Sequence, residues 1–189
     1  MQIENSNITF CAHFNNYAKV LKGDKISGKY APHDVSFVSI DASNELDLSA
    51  LKKVYENWNR EVLAEAILRT AEAQYLGDIS YRHNKIFALT TQEDNFEHFE
   101  PDKILGIADV KVLNSKGHAF LEHIIVKPFT NRDKDLDIKK IGTAMLDTLK
   151  SCFVQIYLVA LDKKSVKSFY LRNGFIEEPI NSNHFMWQK

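Results

Sequence analysis

Cysteine is scarce. The 189 residues contain only Cys11 and Cys152, too few and too far apart for a zinc framework or a redox pair, so two free thiols in a reducing compartment are expected. Long apolar runs are missing as well, and nothing approaches the ~20 residues that cross a bilayer. Neither sign of charge dominates. With 24 basic and 25 acidic residues the formal net charge is −1, which gives no electrostatic reason to expect nucleic acid or an anionic membrane as a partner. The amino terminus, MQIENSNITF, lacks the basic region and apolar core of a secretory signal. A cytoplasmic location is the expectation.

What the chain does have is apolar side chain: it is 44% hydrophobic, enough for a core without disulfides or metal, and its length suits one domain with a small extension. Ile8, Phe10, Ala12 and Phe14 alternate with Thr9, Cys11 and His13, which reads as a strand. Gly23, Gly28 and Pro32 punctuate the polar region that follows, so residues 1–34 read as an extra strand, an arm or a lid. Val35–Ile40 is a second strand. Leu48–Tyr75 has helical spacing through Leu51, Val54, Trp58, Val62, Ile67 and Ala71, as one long helix or as two broken near Asn57–Asn59. Tyr55, Trp58 and Tyr75 are expected in the core. Lys85–Thr91 and Lys103–Leu113 read as strands flanking the acidic QEDNFEHFEPD, taken as a solvated tip. Asn114-Ser115-Lys116-Gly117 is a hairpin turn.

The chain is organised around residues 117–146. Ala119–Val126 reads as a strand with Phe120, Glu122, Ile124 and Val126 on one face and Leu121, His123 and Ile125 on the other. Both faces are mainly apolar, so burial on both sides is expected. Glu122 is the exception, and a carboxylate is rarely buried for stability alone. A charged loop follows, then Lys139-Lys140-Ile141-Gly142-Thr143-Ala144 opens an amphipathic helix carrying Met145, Leu146 and Leu149. Free amides and the positive end of the helix dipole make such a turn a place for an anion, with two lysines beside it. Val154–Leu161 is a further apolar strand, and Asp162 is placed to cap the next helix, where Val166, Phe169 and Tyr170 share a face. Phe175–Glu178 and His184–Gln188 read as a closing hairpin.

GHAFLEHIIVKP, IGTAML and SVKSFYLRNGF, in that order, resemble the GNAT superfamily of acyl-CoA-dependent N-acetyltransferases. The likeness covers about residues 84–178 and reaches back less fully to about 35. It implies an α/β (α+β) fold: a mixed, mostly antiparallel sheet with a central parallel strand pair and helices on both faces. It also implies residues 35–189 as the acetyltransferase domain, residues 1–34 as an extension, and a break in the 48–75 helix. The family turn, Arg or Gln, two residues, Gly, one residue, Gly or Ala, fits in two registers. One uses Lys139, Gly142 and Ala144. The other uses Asp137, Lys140 and Gly142, loses the first glycine and the arginine, and sets Met145 and Leu146 on the family's core leucines. The loop before the turn is several residues longer than usual.

By resemblance, acetyl-CoA is the co-substrate and no metal is needed. Main-chain groups of Ile124, Ile125 and Val126 would pair with pantetheine. The amides from Ile141 through Gly142 and Thr143 to Ala144, with Lys139 and Lys140, would meet the pyrophosphate, and Phe169 would line the slot. Glu122 matches a glutamate in the strand of glucosamine-phosphate acetyltransferases; burial would raise its pKa and suit it as base or substrate ligand. Tyr170 matches the family tyrosine that faces the cofactor sulfur, and a phenol is a reasonable proton donor to a thiolate. His123 is read as structural. The expected activity is direct acetyl transfer to a primary amine, small-molecule or peptide. The alternatives are a non-catalytic acyl-CoA-binding or protein-interaction module of the same fold, or an interaction protein with no cofactor. The acceptor and the oligomeric state, a homodimer included, are left open.

Overall fold

The computed structural model describes residues 16–24, 27–92, 98–128, 137–179 and 182–189. The alternation at Ile8–Phe14, the acidic tip at 93–97 and most of the NRDKDLD loop lie outside the described residues. The strands are β1 (Asn16–Gly23), β2 (Tyr30–Ile40), β3 (Asn84–Thr90), β4 (Ile104–Val112), β5 (His118–Val126), β6 (Ile138–Lys139), β7 (Gln155–Val159), β8 (Ile176–Glu177) and β9 (His184–Gln188). They form one sheet in the order β6-β1-β2-β3-β4-β5-β7-β9-β8. Among the described residues β5–β7 is the only parallel pair. The helices are α1 (Glu45–Asn57), α2 (Val62–Tyr75), α3 (Ile141–Cys152) and α4 (Lys164–Arg172). No helix among the described residues is long and apolar enough to cross a membrane.

Helices cover both faces because the inner strands are apolar on both. Phe37, Phe87, Leu89, Ala108 and Val110 pack with Met145, Leu146 and Leu149 of α3 and Tyr170 of α4. On the other face, Val38, Ile40, Ile86, Ala88 and Ile107 pack with Leu51 and Val54 of α1, Trp58 just past its end, and Ile67 and Ala71 of α2. Two separated apolar layers around a central sheet are the α/β solution to burying a two-sided sheet.

The 48–75 segment is two helices. Asn44 caps α1 by accepting a hydrogen bond from the Leu46 amide at 2.9 Å. Asn59 and Arg60 both take positive φ near 56°, which ends α1 and starts α2 at a new angle. Trp58, at the break, is completely buried. Tyr75 is not in the core: it is 46% exposed at the last turn of α2, where the helix has run past the sheet it covers.

The described part of 1–34 supplies β1 and the opening of β2. Ala18 and Val20 are buried against α3's side of the sheet while Tyr17 and Lys19 face out. Two inward apolar residues are a weak periodic signal; of the extra strand, arm or lid expected for residues 1–34, Asn16–Gly23 is a strand. β6, only two residues long, pairs with Leu21 and Lys22 and buries Ile138. It pins the chain to the far edge of the sheet just before α3 begins.

Candidate active site

The site lies where β5 and β7 part. They pair over His118–Leu121 and Gln155–Leu158 only. The cause is a β-bulge. On β4, Val110 stands opposite Leu121 and Asp109 opposite His123, so Glu122 is the extra residue. An inserted residue bends the strand and raises its twist, which carries Ile124–Val126 away from β7 while they stay paired to β4. The main-chain edge of β5 that faces β7 is thereby left open. A cavity of about 640 Å³ fills the split, lined by Leu63 of α2 on one side and by Gly142, Phe169 and Tyr170 on the other.

The bulge overturns the expected face assignment. Ala119 and Leu121 share the α3 side with Ile124 and Val126, and Ile125 packs on the α1–α2 side. Strict period-two alternation cannot show this. The trace in the sequence is the phase slip from apolar 119 and 121 to apolar 124 and 126, which skips a polar Glu-His pair.

Glu122 is corrected by the same geometry. The bulge turns it outward and it is exposed, so it is not the buried carboxylate that the strand pattern led one to expect. It lines the β5–β7 cavity and also a second cavity of about 610 Å³ between α2 and the sheet. His123 lines both as well, although it was expected to be only structural.

At the other wall stands the start of α3. Lys140 precedes it with φ 63° and ψ 22°, a left-handed conformation that glycine takes more easily than lysine. The Ala144 amide already donates to the Lys140 carbonyl at 2.9 Å, and Ala144 is buried. That removes Ala144 from the expected anion-binding amides and leaves Ile141, Gly142 and Thr143 as the first-turn donors. Gly142 lines the cavity. Lys140 is exposed, and the Lys139 ammonium lies 3.7 Å from the centroid of the Tyr30 ring, a cation–π contact that draws it toward β2. Tyr30 also donates to the Asp137 carboxylate. Met145 and Leu146 are fully buried.

Tyr170 lines the cavity while its ring packs edge-on to Phe169 and Phe175, with centroids 5.2 and 5.6 Å away. It is 7% exposed, and burial pushes its phenol from 10.0 up to about 12. The phenol therefore stays protonated at any working pH. It is a weaker acid than the sequence suggested, suited to donating a hydrogen bond to a developing thiolate. α4 begins without the expected cap: Lys163 is at the cap position with no side-chain bond, and Asp162 instead lies 3.4 Å from the Lys167 ammonium.

The second cavity holds what the sequence did not reveal. Asp109, on the α1–α2 side of β4, is 1% exposed. Its carboxylate accepts from Thr70 Oγ1 at 2.9 Å and Asn84 Nδ2 at 2.8 Å. Beside it, His123 Nδ1 is 3.8 Å from Asp109 Oδ2. Three strands and a helix meet there, from positions 39 residues apart in sequence for Thr70 and Asp109. No local pattern announces such a group.

The chain is similar to the crystal structure of the Campylobacter jejuni N-acetyltransferase PseH, at 14% sequence identity and a TM-score of 0.47, over 82% of this chain and 98% of that one. No protein-family model and no curated protein matches the chain. The molecule's own topology, a mostly antiparallel sheet, a parallel β5–β7 pair that splits at a bulge, α3 as the crossover between them, and helices on both faces, is that of a GNAT-type fold.

Proposed function

We propose that the protein is an acetyl-CoA-dependent N-acetyltransferase that transfers acetyl directly to a primary amine in a ternary complex. The observation that carries this is the split itself. It offers an unpaired strand edge at Ile124–Val126 beside the free first-turn amides of a helix, across a 640 Å³ cavity. An extended pantetheine amide chain can add to such an edge as a strand would. The helix start favours a pyrophosphate through its dipole and amides. Phe169 would form apolar wall.

The left-handed Lys140 and the buried Met145 and Leu146 favour the register in which Asp137, Lys140 and Gly142 occupy the turn. Ile141, Gly142 and Thr143 would then meet the phosphates, with the exposed Lys140 adding charge. Glu122, at the wall shared by both cavities, would attract the acceptor ammonium. Tyr170 would donate to the departing sulfur. The acceptor, a small-molecule or peptide amine, would enter by the cavity between α2 and the sheet. Residues 35–189 would be the acetyltransferase domain, with β1 of the amino-terminal extension widening its sheet.

A second reading has an observation in its favour. Lys140 occupies a glycine position and Lys139 is engaged by Tyr30, features that suit a module which binds acyl-CoA without turning it over. Calorimetry with acetyl-CoA and a screen of CoA release across an amine library separate the two. Binding with release supports the enzyme. Binding without release on any amine supports the module, and absence of binding ends both.

A further inference from the structure

We infer that His123, beside the buried Asp109, is the group that takes the proton from the acceptor amine. This rests on the acetyltransferase reading and assigns its base. His123 Nδ1 is buried and has no hydrogen-bond partner. A buried ring nitrogen with no partner carries a desolvation penalty that proteins seldom tolerate without a use. The nearest acceptor is Asp109 Oδ2, at 3.8 Å. That carboxylate is fixed by Thr70 through the same Oδ2 and by Asn84 through Oδ1, so it stands in a set position beside the ring. A closing movement of about 1 Å would make the Nδ1–H donor bond, and catalytic bonds commonly tighten only when substrate is bound. Nε2 is not among the buried unpartnered atoms, and the side chain is 30% exposed. The open edge of the ring therefore faces the wall between the two cavities, where acceptor and thioester would meet.

The roles divide. Asp109 is a positioning residue: once the gap closes, its bond to Nδ1–H would leave Nε2 as the lone-pair nitrogen and stabilise the imidazolium that forms. The other titratable groups lining the two cavities that His123 borders are Glu65 and Arg69 of α2, Tyr81, Lys111 of β4, Glu122 and Tyr170. Glu65 and Arg69 neutralise each other as an ion pair. The ammonium of the acceptor gives one proton to Nε2 and the freed lone pair attacks the thioester carbon. A C–N bond forms and the C–S bond breaks. The nitrogen's second proton goes to the departing sulfur, which Tyr170 steadies by a hydrogen bond while keeping its own proton, so CoA leaves as the thiol and His123 passes its proton to solvent.

The test uses the full chain and an amine found active in the CoA-release screen. His123→Gln should lower kcat about 100-fold or more with acetyl-CoA binding unchanged by calorimetry, and the acid limb of the kcat/KM profile should vanish. Imidazole in the buffer should restore rate to His123→Ala and not to Glu122→Ala. Asp109→Asn should lower kcat while KM for both substrates holds; retained acetyl-CoA binding shows that it has folded. A wild-type protein that acetylates an amine while His123→Gln keeps its rate and acid limb overturns this inference alone. A wild-type protein that neither binds acetyl-CoA nor acetylates any amine overturns the acetyltransferase reading with it.

Discussion

A Cβ placed on Gly142 would stand 3.1 Å from Cζ of Phe169. The first turn of α3 and the face of α4 thus approach as closely as two backbones with one intervening ring allow, and that approach forms one wall of the cavity in the split.

Gly142→Ala should therefore leave stability within about 1 kcal/mol of the parent, because gained helix propensity offsets mild crowding. Phe169 is half-buried and has room to yield toward the cavity. Its shift would narrow the slot, so acetyl-CoA affinity should fall about tenfold. Thermal melting and calorimetry on the same preparation read the two effects; an unchanged Kd would mean that the turn does not meet the ligand.

Tyr170→Phe should lower kcat by about 10- to 100-fold with acetyl-CoA binding retained, since the ring's packing survives and the donor to sulfur is lost. A stability signature goes with it. The folded-state value of about 12 lies above the unfolded value of 10.0. The phenol's contribution is thus complete below pH ~10 and is lost as pH rises through ~12, a change of about 2 to 3 kcal/mol. The denaturant midpoint of the parent should fall relative to that of the variant in that window. Parallel alkaline limbs would show that the phenol is not desolvated.

Glu122→Gln should raise the acceptor KM while acetyl-CoA affinity stays the same, because the side chain is exposed at the mouth shared by the two cavities. Initial rates over an acceptor series at saturating acetyl-CoA provide the check. A fall in cofactor affinity instead would place the carboxylate on the wrong ligand.

Gly106→Ala should cost about 1 to 3 kcal/mol by overpacking. An added Cβ would overlap Sδ of Met145 and lie 3.2 Å from the Ile125 carbonyl oxygen. Met145→Ala, a truncation of a fully buried side chain, is itself costly, but in its background Gly106→Ala should cost less, since removing the thioether vacates the overlapped volume. Urea midpoints of the single and double variants measure this, and simple additivity would mean the strain lies elsewhere.

Local order decided much of what was legible. Period-two and helical spacing marked most of the strands from residue 35 onward, the α1–α2 segment, α3 and α4, because each buries a face against the sheet and that face must repeat with the backbone. The order GHAFLEHIIV, IGTAML, FYLRNGF marked which strands should be parallel and where a ligand edge should be. Burial of Trp58, Met145 and Leu146 follows from the same periodicity. Tertiary structure decided the rest. Whether Glu122 is buried depends on a single extra residue against β4, which shifts every later side chain to the opposite face and has no cost in local propensity. The pairing of His123 with Asp109, and of Asp109 with Thr70 and Asn84, depends on strand register and on how α2 lies across the sheet. Hydrogen bonds between residues distant in sequence leave no period behind them, so only the folded chain could bring that imidazole to that carboxylate.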